Sequence, residues 1–186
     1  MSTPYRLSAD KLTETGHMLI REVVPKFYAL RFYYWRQELG SPGLQGASVH
    51  HQYIWDIRMM PGLYNIFAEL LGNPCLWADF SDAQPAGLSG ILAVNKARLE
   101  LLNSERIPLT IEMNAGDLLV LDPQRLTILP EDELNWLNIQ FIPAEEENGV
   151  EIMRRHRAFL QHQSRPVYLS GLGRRLLGTD KWQTLC

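Results

Sequence analysis

The apolar positions of this chain are spaced for helices in its first third, for strands through its middle and for helices again near its end. The firmest period starts at Leu63, with Ile66, Phe67, Leu70 and Leu71 following at i+3, i+4, i+7 and i+8. Pro61 suits the first turn of that helix, where its missing N–H has no intrahelical acceptor. Gly72 suits a left-handed C-terminal position, and Pro74 prevents continuation, so the spacing predicts a helix over 61–71. Upstream, Ser8 to Glu14 reads as a short helix ended by Gly16, and His17 to Val24 as a strand closed by Pro25. From Lys26 the period becomes helical. Phe27, Leu30 and Tyr34 share one face, and Tyr28, Phe32, Trp35 and Leu39 the neighbouring one. Core packing is the expected role of these aromatics, with a ligand pocket the alternative. Gly40-Ser41-Pro42-Gly43 breaks the helix, and Leu44 to Val49 is a loop.

After residue 74 the period drops. Cys75 to Phe80 and Leu88 to Val94 read as strands, and Asn95 is placed to cap a short helix through Leu102. Leu109 to Met113 alternates, Asn114-Ala115-Gly116 turns, and Asp117 to Leu121 returns as the second strand of a hairpin flanked by exposed Glu112 and Asp122. Leu126 to Leu129 and Leu134 to Ile142 are further strands. In the last, Leu137, Ile139 and Phe141 face one way, while Trp136, Asn138 and Gln140 face either a barrel interior or solvent. Glu145-Glu146-Glu147 then opens a helix whose basic residues, Arg154, Arg155 and Arg157, come later, an order that complements the helix dipole. Val150, Met153 and Leu160 are its expected buried stripe, the arginines its solvated face, and Pro166 its end. The segment Leu172 to Trp182 looks built to dock back on the rest.

Composition narrows the class. A chain of 186 residues, 46% hydrophobic and 21% charged, fits one α+β domain spanning 1–186. A net charge of -3 gives no reason to expect nucleic acid. No run is long enough to cross a membrane, and no apolar leader precedes the first helix. The two cysteines, Cys75 and Cys186, are expected to be reduced thiols of a cytoplasmic protein.

The stretch His50-His51-Gln52-Tyr53-Ile54-Trp55-Asp56-Ile57-Arg58, followed by Pro61, the 61–71 helix and Leu76-Trp77, resembles the phytanoyl-CoA dioxygenase-like (PhyH) branch of the iron(II)/2-oxoglutarate oxygenases. Ser89-Gly90-Ile91-Leu92-Ala93-Val94, Gly116-Asp117-Leu118-Leu119-Val120, Ile142-Pro143-Ala144 and Leu172-Gly173-Arg174-Arg175-Leu176-Leu177-Gly178 are similar to further motifs of that pattern, in the family's order. The resemblance implies a reduced double-stranded β-helix, a jelly-roll or cupin-like core, with flanking helices.

It also implies an iron site that these residues do not supply. Such a site takes two histidines and a carboxylate, the first two as H-x-D or H-x-E on an inner strand, and neither motif occurs here. In the family pattern that strand lies between the L-W and Q-G-v-L strands. Ser81 to Gly87, which joins them here, is too short to hold it. Gln124 to Glu133 lacks the distal histidine, and Leu134 to Ile142 lacks the arginine expected to hold 2-oxoglutarate. Asn95 to Arg106 replaces a glycine-rich segment. No metal and no cofactor is therefore expected. The remaining catalytic candidates are His50, His51, Asp56, Asp79 and Asp82, as acids or bases near neutrality. Trp55, Arg58, Trp77 and Trp136 are candidates for ligand binding. Structural roles compete with each, including a buried ion pair formed by Trp55, Asp56 and Arg58 under an aromatic lid.

Three functions follow. The leading one is a metal-free protein that binds a small organic molecule or serves as the non-catalytic partner of an oxygenase. Sheet edges left by missing strands point toward a homo- or hetero-oligomer. The second is a cofactor-independent isomerase, cyclase or dehydratase using His and Asp side chains. The third is a dioxygenase with an atypical iron site.

Overall fold

The computed structural model describes residues 9–39, 50–79, 87–103, 105–129, 133–163 and 165–182. Helix α1 (Ala9–Thr15) leads into strand β1 (His17–Ile20), and α2 (Lys26–Leu39), α3 (Gln52–Arg58) and α4 (Pro61–Leu71) follow. Helix α4 has the predicted ends, with Pro61 in the first turn and Gly72 left-handed at φ 60°. The β region comprises β2 (Leu76–Ala78), β3 (Ser89–Ala93), β4 (Ala97–Asn103), β5 (Pro108–Met113), β6 (Leu118–Leu121), β7 (Leu126–Ile128), β8 (Trp136–Ile139) and β9 (Phe141–Pro143). Helices α5 (Gly149–Gln161) and α6 (Gly171–Leu177) come last. No helix among the described residues is long and apolar enough to cross a membrane.

The strands form a four-stranded sheet ordered β1-β6-β3-β8, a three-stranded sheet β5-β4-β7 and the pair β2-β9. Alternation along β3, β6 and β8 divides the core in two. Leu92, Leu118, Val120 and Ile139 pack toward the helices, with Phe32, Trp55, Leu63 and Phe67. Ile91, Ala93, Leu119, Leu121 and Trp136 face the second sheet, where Ala97, Leu99, Leu101, Met113 and Leu126 meet them. Helices, sheet and sheet thus make three layers.

Four expectations fail here for physical reasons. Residues 97–102 are a strand, not a helix. Ala97, Leu99 and Leu101 are buried in alternation with exposed Arg98 and half-buried Glu100. The turn at 114–116 joins two sheets instead of closing a hairpin, since β5 pairs with β4 while β6 pairs with β1 and β3. Backbone bonds from Gly116 N–H to Ala93 (2.8 Å) and from Ala93 N–H to Asp117 (2.9 Å) bind the turn to β3. Buried Asp117 accepts from the N–H groups of Asn114 (2.8 Å) and Glu22 (3.0 Å) and from Arg21 (2.6 Å). Burial works to raise the Asp117 pKa, but these donors outweigh it and hold the carboxyl below its usual range. A side chain at Gly116 (φ +96°) would lie 2.1 Å from the Val24 carbonyl oxygen, so the tight approach requires glycine. The predicted strand 134–142 breaks at Gln140, and its halves serve different sheets. On α2, Phe27, Tyr34 and Leu39 are exposed, and Ala29 and Phe32 are the residues it buries.

Two sheet edges are blunted by arginines. In the β4–β5 ladder the Asn103 N–H to Ile107 bond (3.3 Å) leaves the even-numbered residues of β5 pointing outward. Pro108 has no N–H to offer there, and the Glu112 carbonyl accepts from Arg21 (3.2 Å). On β8 the Trp136 carbonyl accepts from Arg36 (2.7 Å). Cys75, expected as a reduced thiol, is disulfide-bonded.

Candidate functional site

The histidine-rich block forms α3 and its approach. His51 is the N-cap, its Nδ1 accepting from the Tyr53 N–H at 3.3 Å, and its ring stacks on Trp35 at 3.9 Å. Burial, then the Arg165 charge, lowers its pKa. His50 lies on the other side, almost fully buried, and accepts from the Trp55 indole N–H through Nδ1 at 3.2 Å. Indole can only donate, so the His50 proton sits on Nε2. Phe159 of α5 meets both rings edge-on, 5.0 Å from His50 and 5.8 Å from Trp55. Burial, helped by Arg58, His162 and Arg155, pushes the His50 pKa down to about 3, so the ring is neutral at physiological pH.

Asp56 is not paired with Arg58. Residues two apart on a helix do not face each other. Asp56 instead takes an ion pair from Arg31 of α2 and a bond from Gln52 Nε2 at 2.7 Å. The Arg31 guanidinium also lies over the rings of Tyr53 (4.4 Å), Tyr28 (5.2 Å) and Phe27 (5.3 Å). Gln52 further exchanges two bonds with the backbone of Tyr168, at 2.7 and 3.2 Å, tying the C-terminal segment to α3.

Arg58 lies beneath, buried and 5.8 Å from the Trp55 ring. Close by is Arg155 of α5, expected in a solvated run but only 2% exposed. It donates to the carbonyls of Ala78 (2.6 Å), Leu176 (3.0 Å) and Leu177 (3.0 Å), closing the C-terminal end of α6 and joining it to β2. Its guanidinium stands 4.9 Å from the Trp77 ring. Burial lowers both arginines to about 10, helped at Arg58 by the Arg155 charge and at Arg155 by the Arg154 charge. Asp79 opposes the shift in both, and Glu151 opposes it more strongly at Arg155. Trp77 is buried beside Gly178, and its indole N–H has no partner among the described residues.

The structure therefore gathers His50, Trp55, Arg58, Asp79 and Trp77 around Arg155, and sets His51 and Asp56 on the opposite flank with Trp35 and Arg31. Trp136 belongs to neither group, since it fills the space between the sheets. Asp82 lies outside the described residues. Sequence reasoning missed Arg31, Arg155 and Phe159, whose roles depend on contacts between distant elements.

The iron site that the resemblance implies would need histidines and a carboxylate brought together. All five histidines are described: His17 stands at the start of β1 with Nδ1 3.3 Å from the Thr15 carbonyl, His156 and His162 are exposed at α5, and His50 and His51 are engaged as above. No group of three His, Cys, Asp or Glu among the described residues is arranged to hold a metal. Facing the second sheet, the four-stranded sheet has polar side chains only at His17 and Ser89, which flank Leu121 in one row, and at exposed Asn138. These residues do not fit an iron held by two histidines and a carboxylate.

No family model matches the chain, and no curated protein matches it. Solved structures do. The epimerase SnoN in complex with Fe3+, alpha ketoglutarate and nogalamycin RO superposes with a TM-score of 0.54 at 10% identity, over 73% of this chain and 82% of that one. A second structure of SnoN, the non-heme alpha ketoglutarate-dependent epimerase from nogalamycin biosynthesis, gives 0.54 and 10% over 73% and 79%. The core is a double-stranded β-helix. At this identity the likeness establishes the fold alone, which agrees with the architecture expected from the sequence. A Pseudomonas putida prolyl-4-hydroxylase is a looser match, with a TM-score of 0.46 at 11% identity over 72% of this chain and 88% of that one. Between the two sheets of this double-stranded β-helix the chain places packed apolar side chains.

Proposed function

We propose that this chain is a shortened, degenerate relative of the PhyH-like oxygenases, in which the double-stranded β-helix acts without bound iron as the non-catalytic partner of another protein. The observation that carries this reading is the space between the sheets, filled by Ile91, Leu119, Leu121 and Trp136 against Leu99, Leu101, Met113 and Leu126. The PhyH-like motifs support the ancestry. They fall in order on α3 and α4, β2, β3, β6, β9 and α6. Acid–base catalysis draws no support from His50 or Asp56, because the Nδ1 of one and both carboxylate oxygens of the other already accept hydrogen bonds.

The test is anaerobic reconstitution with iron(II) and 2-oxoglutarate, followed by metal analysis and thermal unfolding. Substoichiometric iron and an unchanged melting temperature are expected. Stoichiometric iron with 2-oxoglutarate-dependent oxygen uptake would refute the reading.

A further inference from the structure

Helix α5 carries two stripes. Its buried one is Ile152, Arg155 and Phe159, with Ile152 half-buried. The stripe expected to be buried faces away, with Val150 82%, Met153 62% and Leu160 60% exposed. With Arg157 these residues occupy consecutive a and d positions of a heptad, a narrow seam of the kind that takes one partner helix. Arg157 is exposed and makes no ion pair among the described residues. Arg154 and His156 flank the seam, Arg154 held by Glu151 at 2.7 Å.

The geometry points to this face as the docking site for an acidic amphipathic helix of a different protein. This rests on the partner reading above and names its surface and the partner's chemistry. A polar residue at an a position fixes register when the facing helix answers its charge, and here the answering group is a carboxylate. A second copy does not supply it. An antiparallel pair centred on the seam sets Val150 against Leu160 but crowds Arg154 and Arg157 of both copies at the crossing, and a parallel pair sets Arg157 against Arg157. An anionic lipid surface fits poorly as well. The seam has only three apolar residues, too few to anchor a helix in the acyl boundary.

The experiment titrates the full chain with a labelled designed helix carrying leucine at a and d and glutamate at e and g, and with its lysine-substituted twin. The glutamate helix is expected to bind about tenfold more tightly, and Arg157→Glu to reverse the order. The combined Val150→Asn, Met153→Asn and Leu160→Asn variant should bind neither helix and keep the parent's melting curve, since all three side chains are exposed. Equal binding of the two helices, or no effect of Arg157→Glu, overturns the proposal. So does concentration-dependent dimerisation, or binding to phosphatidylglycerol vesicles, that the triple variant abolishes. An iron-loaded chain that still prefers the glutamate helix sinks the non-catalytic reading and leaves this surface standing. An iron-free chain indifferent to both helices does the reverse.

Discussion

Replacing Arg155 by alanine should destabilise the fold severely, whereas the same change at its neighbour Arg154 should be nearly silent. Arg155 gives three hydrogen bonds to the carbonyls of Ala78, Leu176 and Leu177 from a side chain 1% exposed. Its removal strands those acceptors and leaves a void against Trp77. Each buried acceptor left without a donor costs about 1–3 kcal/mol. Partial repair by water brings the expected total to roughly 3–5 kcal/mol. At about 2–4 °C per kcal/mol for a chain of this size, the melting temperature falls by roughly 6–20 °C. The charge itself is not the source of the stabilisation, because burial already disfavours the ionised form and lowers the pKa to about 10. Arg155→Met should therefore recover packing but not the bonds, and fall between the two. Arg154, 65% exposed in its pair with Glu151, is worth about 0.5 kcal/mol or less. Thermal and urea unfolding followed by circular dichroism gives both numbers. A loss below about 1 kcal/mol for Arg155→Ala, or equal losses at the two positions, would show that Arg155 does not hold α5, α6 and β2 together.

Two further outcomes follow from the same geometry. His50 has a folded pKa of about 3 against the ordinary histidine value of 6.5, so the unfolded chain binds the proton first as pH falls. Its contribution is complete above pH 6.5 and is lost toward pH 3, at up to about 1.4 kcal/mol per pH unit. His50→Gln should flatten the stability curve across that window, and parallel curves for variant and parent would contradict the assignment. Leu119→Ala, at a fully buried position between the sheets, should cost about 2–5 kcal/mol in urea unfolding. A loss under about 1 kcal/mol would mean that the inter-sheet space is not packed as described.

Much of the fold was legible in local pattern. The 61–71 helix needed only its apolar period, Pro61 and Gly72, all properties of the chain within a few residues. β4 was misread as a helix because Asn95 suggested a cap, although Ala97, Leu99 and Leu101 alternate with Arg98 and Glu100 as a half-buried strand does. The candidate site was less so. The histidine-rich block marked the right place, but Asp56 pairs with Arg31 and His50 is covered by Phe159, across 25 and 109 positions of sequence.

By itself the sequence determined where most segments coil, extend and stop, because caps, prolines and periods act over one or two turns; it misjudged 97–102, a strand, and the break at Gln140. It also excluded the H-x-D or H-x-E motif of an iron site, since an absent residue is absent in any fold. Only the tertiary structure decided which face of α5 is inside. The apolar face was the expected one, yet the guanidinium of Arg155 finds three carbonyls that exist only where α6 ends against β2. Sheet membership was decided the same way. Asn114 to Gly116 turns the chain as read, but the partners of β5 and β6 are set by Ala93 and Asp117, through contacts that local periodicity cannot encode.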